Sequence, residues 1–152
     1  MYRIGIDPGL SGAIAILKDD LTLIDVFDMP VMMLRKGKNQ VNAAALWQKL
    51  AGNTAKLQST AYLENVHPMP KEGVSSVFSF GRSMGVIEGV LASLNIPVVL
   101  VSPQHWKARA GLKGAEKDMA RTLAVRLYPA ADLSKKKDIG KADAILIARY
   151  GG

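Results

Sequence analysis

The sequence predicts an α/β domain over residues 1–152, built on a five-stranded mixed sheet with flanking helices. Three short apolar segments near the N-terminus are joined by tight turns, which is typical of an antiparallel meander. Helical segments then alternate with two further apolar strands, which is typical of parallel additions to the same sheet. A chain of 152 residues is also long enough to bury one good core and too short for two.

The first two strands are predicted over residues 2–7 and 13–17, on either side of a turn rich in proline and glycine. The first strand ends in Asp7. Ionised carboxylates are seldom buried without a partner. Asp7 therefore either caps the turn through its side chain or binds a cation.

A third strand is predicted over residues 21–27, and residues 31–40 are predicted to form a loop. The second half of that loop is basic, so it either contacts nucleic acid or forms ordinary surface. Asn42 is a suitable N-cap for a helix that runs to about Leu57.

The fourth predicted strand, residues 60–66, carries a second acid, Glu64. Because it follows a helix, it should lie parallel to the first strand and beside it. Two like charges about 4–5 Å apart repel by roughly 3–4 kcal/mol at an effective dielectric near 20. Such a pair destabilises the fold by itself but is suited to binding a divalent cation. Met69 and Lys71 follow in a proline-containing loop, at the mouth of the predicted site.

A long helix is predicted from Ser75 or Ser76 to about Asn95, with an apolar seam on one side. Gly81, Gly85 and Gly89 form a second stripe on it. Each glycine costs a helix about 0.8–1 kcal/mol relative to alanine, so the stripe should allow another element to approach closely. That element is either the sheet or the same helix of a second copy. Two packing faces favour a homodimer formed through residues 75–95.

The net charge of +7 is concentrated between residues 105 and 141, where ten basic residues stand against four acids. A positive region of this kind attracts phosphate backbones, with an affinity that falls as salt rises. The region follows a fifth strand, residues 97–102, whose unbroken apolar run predicts cover on both faces. It contains a short helix that opens at Pro103 and a longer helix over residues 115–128. Trp106 either packs in the core or stacks on a base.

The C-terminal segment carries two more acids, Asp138 and Asp143. Residues 142–150 are predicted to be helical, which places Asp143 in the first turn, where the helix dipole favours a negative charge. Helix capping explains either acid alone. It does not explain why both stand among lysines.

The composition excludes several kinds of chemistry. The chain has no cysteine, so disulfides, a thiol nucleophile and a zinc–thiolate centre are excluded. No apolar run approaches 18 residues, and the N-terminus has no signal-peptide pattern, so we expect no membrane span and a cytoplasmic location.

Several segments resemble the ribonuclease H-like fold and, within it, the RuvC family of Holliday-junction resolvases. The similar segments are IGIDPGLSGAIAI, YLENV, SFGRSMGVIEGVL, VSPQHWKARAGLKGAEKDMARTLAVRLYP and KKDIGKADAILIARYG. The last segment is similar to a viral-type subgroup. The resemblance implies a homodimeric, magnesium-dependent endonuclease that cuts two strands of a four-way DNA junction.

The resemblance also implies the functional residues. Asp7, Glu64 and Asp143 would bind the metal, and Asp138 would be the fourth ligand, because Gly140 occupies the position where many relatives have an acid or histidine. Two Mg²⁺ ions, with Mn²⁺ able to substitute, suit a purely carboxylate site. The predicted DNA contacts are Lys107, Arg109, Lys113, Lys117, Arg121, Lys136, Lys137, Lys141, Met69, Lys71 and Arg82.

Three alternatives remain open from the sequence. A ribonuclease H-like nuclease of this type would also suit forks, branched DNA or RNA–DNA hybrids. An I-G-I-D-x-G opening occurs in actin-like ATPases and sugar kinases, although that fold needs two such domains and about twice this length. The third alternative is a non-catalytic DNA-binding module, in which the acids would weaken DNA binding.

Overall fold

The chain folds around a five-stranded mixed sheet, and a computed structural model describes residues 1–54 and 58–152. The strands are β1 (Tyr2–Asp7), β2 (Ala13–Lys18), β3 (Leu23–Asp28), β4 (Val31–Arg35), β5 (Lys38–Val41), β6 (Ser59–Glu64) and β7 (Val98–Val101). The helices are α1 (Ala43–Thr54), α2 (Val74–Ser93), α3 (Pro103–Arg109), α4 (Lys117–Leu127) and α5 (Ile139–Tyr150), and a 3₁₀ turn, Lys136–Asp138, precedes α5. None of the helices in the described ranges is long and apolar enough to cross a membrane.

The order of the main sheet is β3-β2-β1-β6-β7, which confirms the predicted mixture of antiparallel and parallel strands. β1 pairs antiparallel with β2, and Asp7 lies opposite Ala13. On its other edge β1 pairs parallel with β6, where Ile6 lies opposite Leu63. Asp7 and Glu64 each follow directly, so the two acids stand at the same end of neighbouring strands, as predicted.

Helices cover both faces of this sheet, and alternate strand residues feed two cores. Ile14 and Ile16 of β2 pack with residues of α1 and α2 on one face. Ala13 and Ala15, which alternate with them, pack with Trp106 and with residues of α4 and α5 on the other face. The small residues on this second face leave room for α5 to lie close to the strands.

The predicted loop over residues 31–40 is wrong, because this segment forms an antiparallel hairpin of β4 and β5 outside the main sheet. Gly37 occupies the turn with a φ of +73°, a conformation that favours glycine. Every residue of β4 is exposed. A strand without a buried face lacks the alternating pattern by which strands are recognised in a sequence.

The fifth strand of the sheet also differs from its prediction. β7 is an edge strand, and its residues Val98, Val99 and Leu100 are 37%, 43% and 53% exposed rather than covered on both faces. An apolar run shows that a strand can be buried. It does not show whether a helix is available to cover it.

Helix boundaries were predicted with mixed success. The N-cap at Asn42 is confirmed, because its Oδ1 accepts a hydrogen bond from Ala45 N at 3.1 Å. The predicted end near Leu57 lies outside the described residues. α2 begins at Val74 with Gly73 as N-cap, so the capping role predicted for a serine is wrong. α5 begins at Ile139, which places Asp143 beyond the first turn.

Candidate active site

A close approach of α5 to β1 brings two of the predicted acids together. Gly5 lies on the same face of β1 as Asp7, two residues away. A Cβ at Gly5 would lie 2.0 Å from the carbonyl oxygen of Ala144 and 2.4 Å from the nitrogen of Ala148. Only glycine therefore allows α5 to lie directly on the strand. Asp143, which precedes Ala144, reaches the region of Asp7 as a result.

The turn after Asp7 is packed in the same way. A Cβ at Gly12 would lie 2.1 Å from the carbonyl oxygen of Asp7, and one at Gly140 would lie 2.7 Å from that of Ser11. The beginning of α5 thus lies against the turn between β1 and β2. Gly140 has no room for a side chain, so an acid or histidine at this position is incompatible with the packing seen here.

Asp7 and Asp143 line one cavity of about 400 Å³. Three lysines, Lys107, Lys117 and Lys137, line it as well. The structure therefore brings two of the predicted metal ligands together with three of the predicted DNA contacts. Anionic and cationic side chains share one opening to solvent.

Glu64, at the end of β6, is the third acid near this cavity, and it is hydrogen-bonded to a tryptophan. We refer to Asp7, Asp143 and Glu64 together as the centre. Its Oε2 accepts a hydrogen bond of 2.6 Å from Nε1 of Trp106. Trp106 is completely buried, which confirms the core interpretation and leaves no surface for stacking on a base. The next residue of α3, Lys107, lines the cavity. One turn of α3 thus supplies both a donor to Glu64 and a cation to the centre.

The three carboxyl groups perturb one another electrostatically. Burial and then the charge of Glu64 raise the pKa of Asp7 to about 6, against an ordinary value of 3.8. Burial and then the charges of Asp7 and Glu64 raise the pKa of Asp143 to about 7. Burial also raises the pKa of Glu64, although the Trp106 hydrogen bond and Lys107 act against it. The effect of Glu64 on Asp7, and of both on Asp143, requires proximity and is unfavourable when the acids are ionised.

The donor set fits a hard divalent cation, but the side chains do not form a closed ligand group in this conformation. Within residues 1–54 and 58–152, no three His, Asp or Glu side chains are placed together so as to hold a metal ion. Carboxylate oxygens are the ligands that Mg²⁺ prefers, and a cation would remove the repulsion among them. Asp7, Asp143 and Glu64 are therefore the residues that would hold such a cation.

Asp138 is engaged elsewhere. Its Oδ2 accepts a hydrogen bond from the backbone nitrogen of Lys135 at 2.9 Å, and its Oδ1 lies 3.9 Å from Nζ of Lys141. The side chain is buried and does not line the cavity of Asp7 and Asp143. Its role as a fourth ligand stays a prediction.

Some of the residues predicted to contact DNA instead form hydrogen bonds or ion pairs within the protein. Arg109 donates to the carbonyl oxygen of Gly152. Arg121 forms an ion pair with Asp118 at 2.8 Å and also donates to the carbonyl oxygen of Leu133. Together with Lys141, these residues stabilise the fold around the centre.

The other predicted DNA contacts are exposed. Lys113 shares a cavity with Lys107 beside the centre. Lys136 lies in the 3₁₀ turn before α5, and Met69 and Lys71 lie in the loop after β6. The structure brings none of these last three residues into the cavity of Asp7 and Asp143. Arg82 lies on α2, in a separate cavity.

Sequence reasoning missed two polar side chains that line the central cavity, Ser11 and Glu116. Glu116 is the N-cap residue of α4, although its side chain makes no capping hydrogen bond. It stands among lysines in the basic segment, and that is the same signal that singles out Asp138 and Asp143. Nothing in the sequence except its place in the turn indicates that Ser11 lines the cavity.

The sheet order and the helices on both faces are those of the ribonuclease H-like fold. Among solved structures, the chain is similar to RuvC of Thermus thermophilus, with a TM-score of 0.62, 14% identity, and coverage of 97% of this chain and 91% of that one. A structure of T. thermophilus RuvC in complex with a Holliday junction substrate gives a TM-score of 0.64 at 13% identity, covering 97% and 90% of the two chains. The fold is therefore that of RuvC.

A curated relative is the chloroplastic Holliday junction resolvase MOC1 of Chlamydomonas reinhardtii, which is 28% identical over 148 residues. The match covers 82% of this chain and 17% of that protein, so the chain spans only about a sixth of the length of this relative. No family model matches the chain.

Proposed function

We propose that this chain is a metal-dependent endodeoxyribonuclease that resolves four-way DNA junctions by hydrolysing phosphodiester bonds. The observation that carries the proposal is that Asp7 and Asp143 line one cavity with three lysines, near enough to Glu64 for its charge to raise the pKa of both acids. The comparisons support it, since one relative is named as a Holliday junction resolvase and a protein of the same fold has been solved with a junction substrate.

The acids of the centre would hold two Mg²⁺ ions, for which Mn²⁺ would substitute. When bound, such ions activate water for attack and stabilise the leaving oxygen. The protein itself performs the other tasks. Trp106 orients the Glu64 carboxylate, and Lys107 and Lys117 attract the phosphate and offset part of the negative charge. Asp143, with a pKa of about 7, must release its proton fully as metal binds at neutral pH.

Two glycines of the opening segment, Gly5 and Gly12, are enclosed by the protein itself, so neither is available to cradle a phosphate. The space that a side chain at Gly5 would need is filled by α5, and that at Gly12 is filled by the backbone of Asp7. Both glycines therefore serve internal packing. A nuclease of forks, branched DNA or RNA–DNA hybrids remains the second candidate, because it would use the same centre.

We also propose a homodimer formed through α2, since cutting two strands of a junction needs two centres. A Cβ at Gly81, Gly85 or Gly89 would meet nothing within 4 Å. The glycines thus face open space and not the sheet. Val74 and Phe78, on the same side of the helix, are 87% and 69% exposed. An apolar, glycine-lined helix face is suited to the matching helix of a second copy.

Cleavage assays on labelled DNA test the proposal. The substrates are a four-way junction, a fork, an RNA–DNA hybrid and a linear duplex, each with and without Mg²⁺. We expect symmetric, Mg²⁺-dependent nicking of the junction by the wild type. Asp7→Asn and Glu64→Gln should bind the junction without cutting it. Wild-type rates for Asp7→Asn would refute the assignment of the centre, and faster cutting of the fork or hybrid would favour the second candidate.

A further inference from the structure

Two cavities continue from the centre past the turn that follows β1. Ser11 lines both the central cavity and a second cavity, which lies between that turn, the tip of the β4–β5 hairpin and the first turns of α2. A third cavity continues from the second and shares Lys38, Asn39, Ser75 and Ser79 with it. The shared residues make one continuous path, which we call the hairpin groove.

The hairpin groove is cationic. Arg35 and Lys38 face each other across the hairpin turn, and Arg82 lines the groove from α2. All three are exposed. No Asp or Glu residue is among the described residues that line either cavity. The groove therefore has an uncompensated positive charge, unlike the central cavity, where acids stand beside the lysines.

The α2 side of the groove supplies hydroxyl groups. Ser75, Ser76 and Ser79 line it and are exposed. Ser75 and Ser79 are four residues apart, so they lie one above the other on the helix surface. Serine hydroxyls, with arginine and lysine, are the groups that contact phosphate oxygens and sugars in protein–DNA complexes. A row of donors beside cations matches a repeating anion better than a single compact ligand.

The way the hairpin is attached fits a binding role. β4 is exposed throughout, whereas β5 ends in the fully buried Val41. The hairpin is thus anchored at its base and projects its basic tip beside α2.

We propose that the hairpin groove binds the sugar–phosphate backbone of one arm of the DNA substrate. The backbone would continue past Ser11 from the phosphate held between the acids and lysines of the centre. The lysines of the central cavity, Lys107, Lys117 and Lys137, then contact the DNA on one side of the cut, and the hairpin contacts it on the other. This inference rests on the proposed function, because it takes DNA as the substrate of the centre.

The test compares two double variants with equal loss of charge. Arg35→Ala with Lys38→Ala removes the hairpin cations, and Lys18→Ala with Arg126→Ala removes two exposed cations that line none of the cavities described above. Binding to a four-way junction is measured in Ca²⁺ over a range of salt concentrations, and single-turnover cleavage is measured in Mg²⁺.

The hairpin variant should bind the junction more weakly, and the slope of log affinity against log salt should fall by about one for each phosphate that the groove no longer neutralises. The cleavage rate at saturating enzyme should change little, because the centre is intact. The control variant should keep the wild-type slope. Equal slopes for both variants would overturn the proposal. It would also be overturned if light scattering showed a change of oligomeric state in the hairpin variant alone, because the groove would then bind a second copy of the chain. If the wild type neither binds nor cuts the junction, the proposed function itself fails.

Discussion

Replacing Asp143 by asparagine should stabilise the metal-free protein while it abolishes cleavage. The pKa of Asp143 is raised from 3.8 to about 7 by burial and by the charges of Asp7 and Glu64. At roughly 1.4 kcal/mol per pKa unit, an ionised Asp143 costs the folded protein about 4 kcal/mol. Asparagine removes the charge and keeps the shape, but it still has a polar group to desolvate. We therefore expect a gain of about 2–4 kcal/mol in the free energy of unfolding above pH 7.

The sign of the pH dependence follows from the raised pKa. The folded protein binds the proton of Asp143 more tightly than the unfolded chain does. The free energy of unfolding of the wild type should therefore fall as pH rises from about 4 to about 7, and it should level off above. Asp7, with a pKa raised to about 6, contributes a decline in the lower part of the same range. In the Asp143→Asn variant the decline should be shallower, since one of the three acids with a raised pKa is gone.

Urea denaturation in EDTA at pH 5 and pH 8 measures the effect, and a repeat in Mg²⁺ shows whether metal removes it. Asp20→Asn is the matched control, because Asp20 is exposed and hydrogen bonds from Thr22 lower its pKa. That variant should not gain stability at pH 8. An Asp143→Asn protein no more stable than the wild type at pH 8 in EDTA would refute the view that the acids oppose folding.

The remaining predictions concern the parts that hold the centre in place. Trp106→Phe removes the donor to Glu64, a bond to a charged group worth about 1.5–3 kcal/mol. It should raise the pKa of Glu64 further, so the pH–rate profile for cleavage should move to higher pH, and an unchanged profile would show that the bond is only structural. Gly5→Ala should prevent folding, as followed by circular dichroism, because its Cβ meets the backbone of α5. Gly85→Ala is the control, since its Cβ meets open space. It should stabilise the monomer by about 0.8–1 kcal/mol and weaken association in ultracentrifugation, and unaltered association would exclude this face as the interface.

The sequence predicted the elements that depend on local periodicity and chain connection. Three apolar segments with tight turns, followed by a helix and a strand, placed β6 beside β1 and hence Glu64 beside Asp7. The glycine at position 5 gave no signal by itself. Its importance depends on α5, which follows more than 130 residues later in the chain.

The features that the sequence did not predict depend on side-chain direction and on exposure. The hydrogen bond from Trp106 to Glu64 joins residues 42 apart, and no periodicity reports it. Asp138 has the right position in the chain for a ligand, but its oxygens are directed at Lys135 and Lys141. The β4–β5 hairpin was missed because β4 buries no residue. Its exposure follows from its place outside the main sheet, which its own residues do not indicate.

The central claim is that Asp7, Glu64 and Asp143 act as one metal-dependent centre for cutting DNA. Single-turnover cleavage of a four-way junction by the wild type and by Glu64→Gln, with Mg²⁺ titrated at pH 8, tests it most directly. Glutamine keeps the size of the side chain and an acceptor for Trp106, so the fold and DNA binding should survive. We predict that the wild type cuts only when Mg²⁺ is added and that the variant loses cleavage by orders of magnitude at every Mg²⁺ concentration. Cleavage by Glu64→Gln at the wild-type rate, or cleavage by the wild type in EDTA, would contradict the claim.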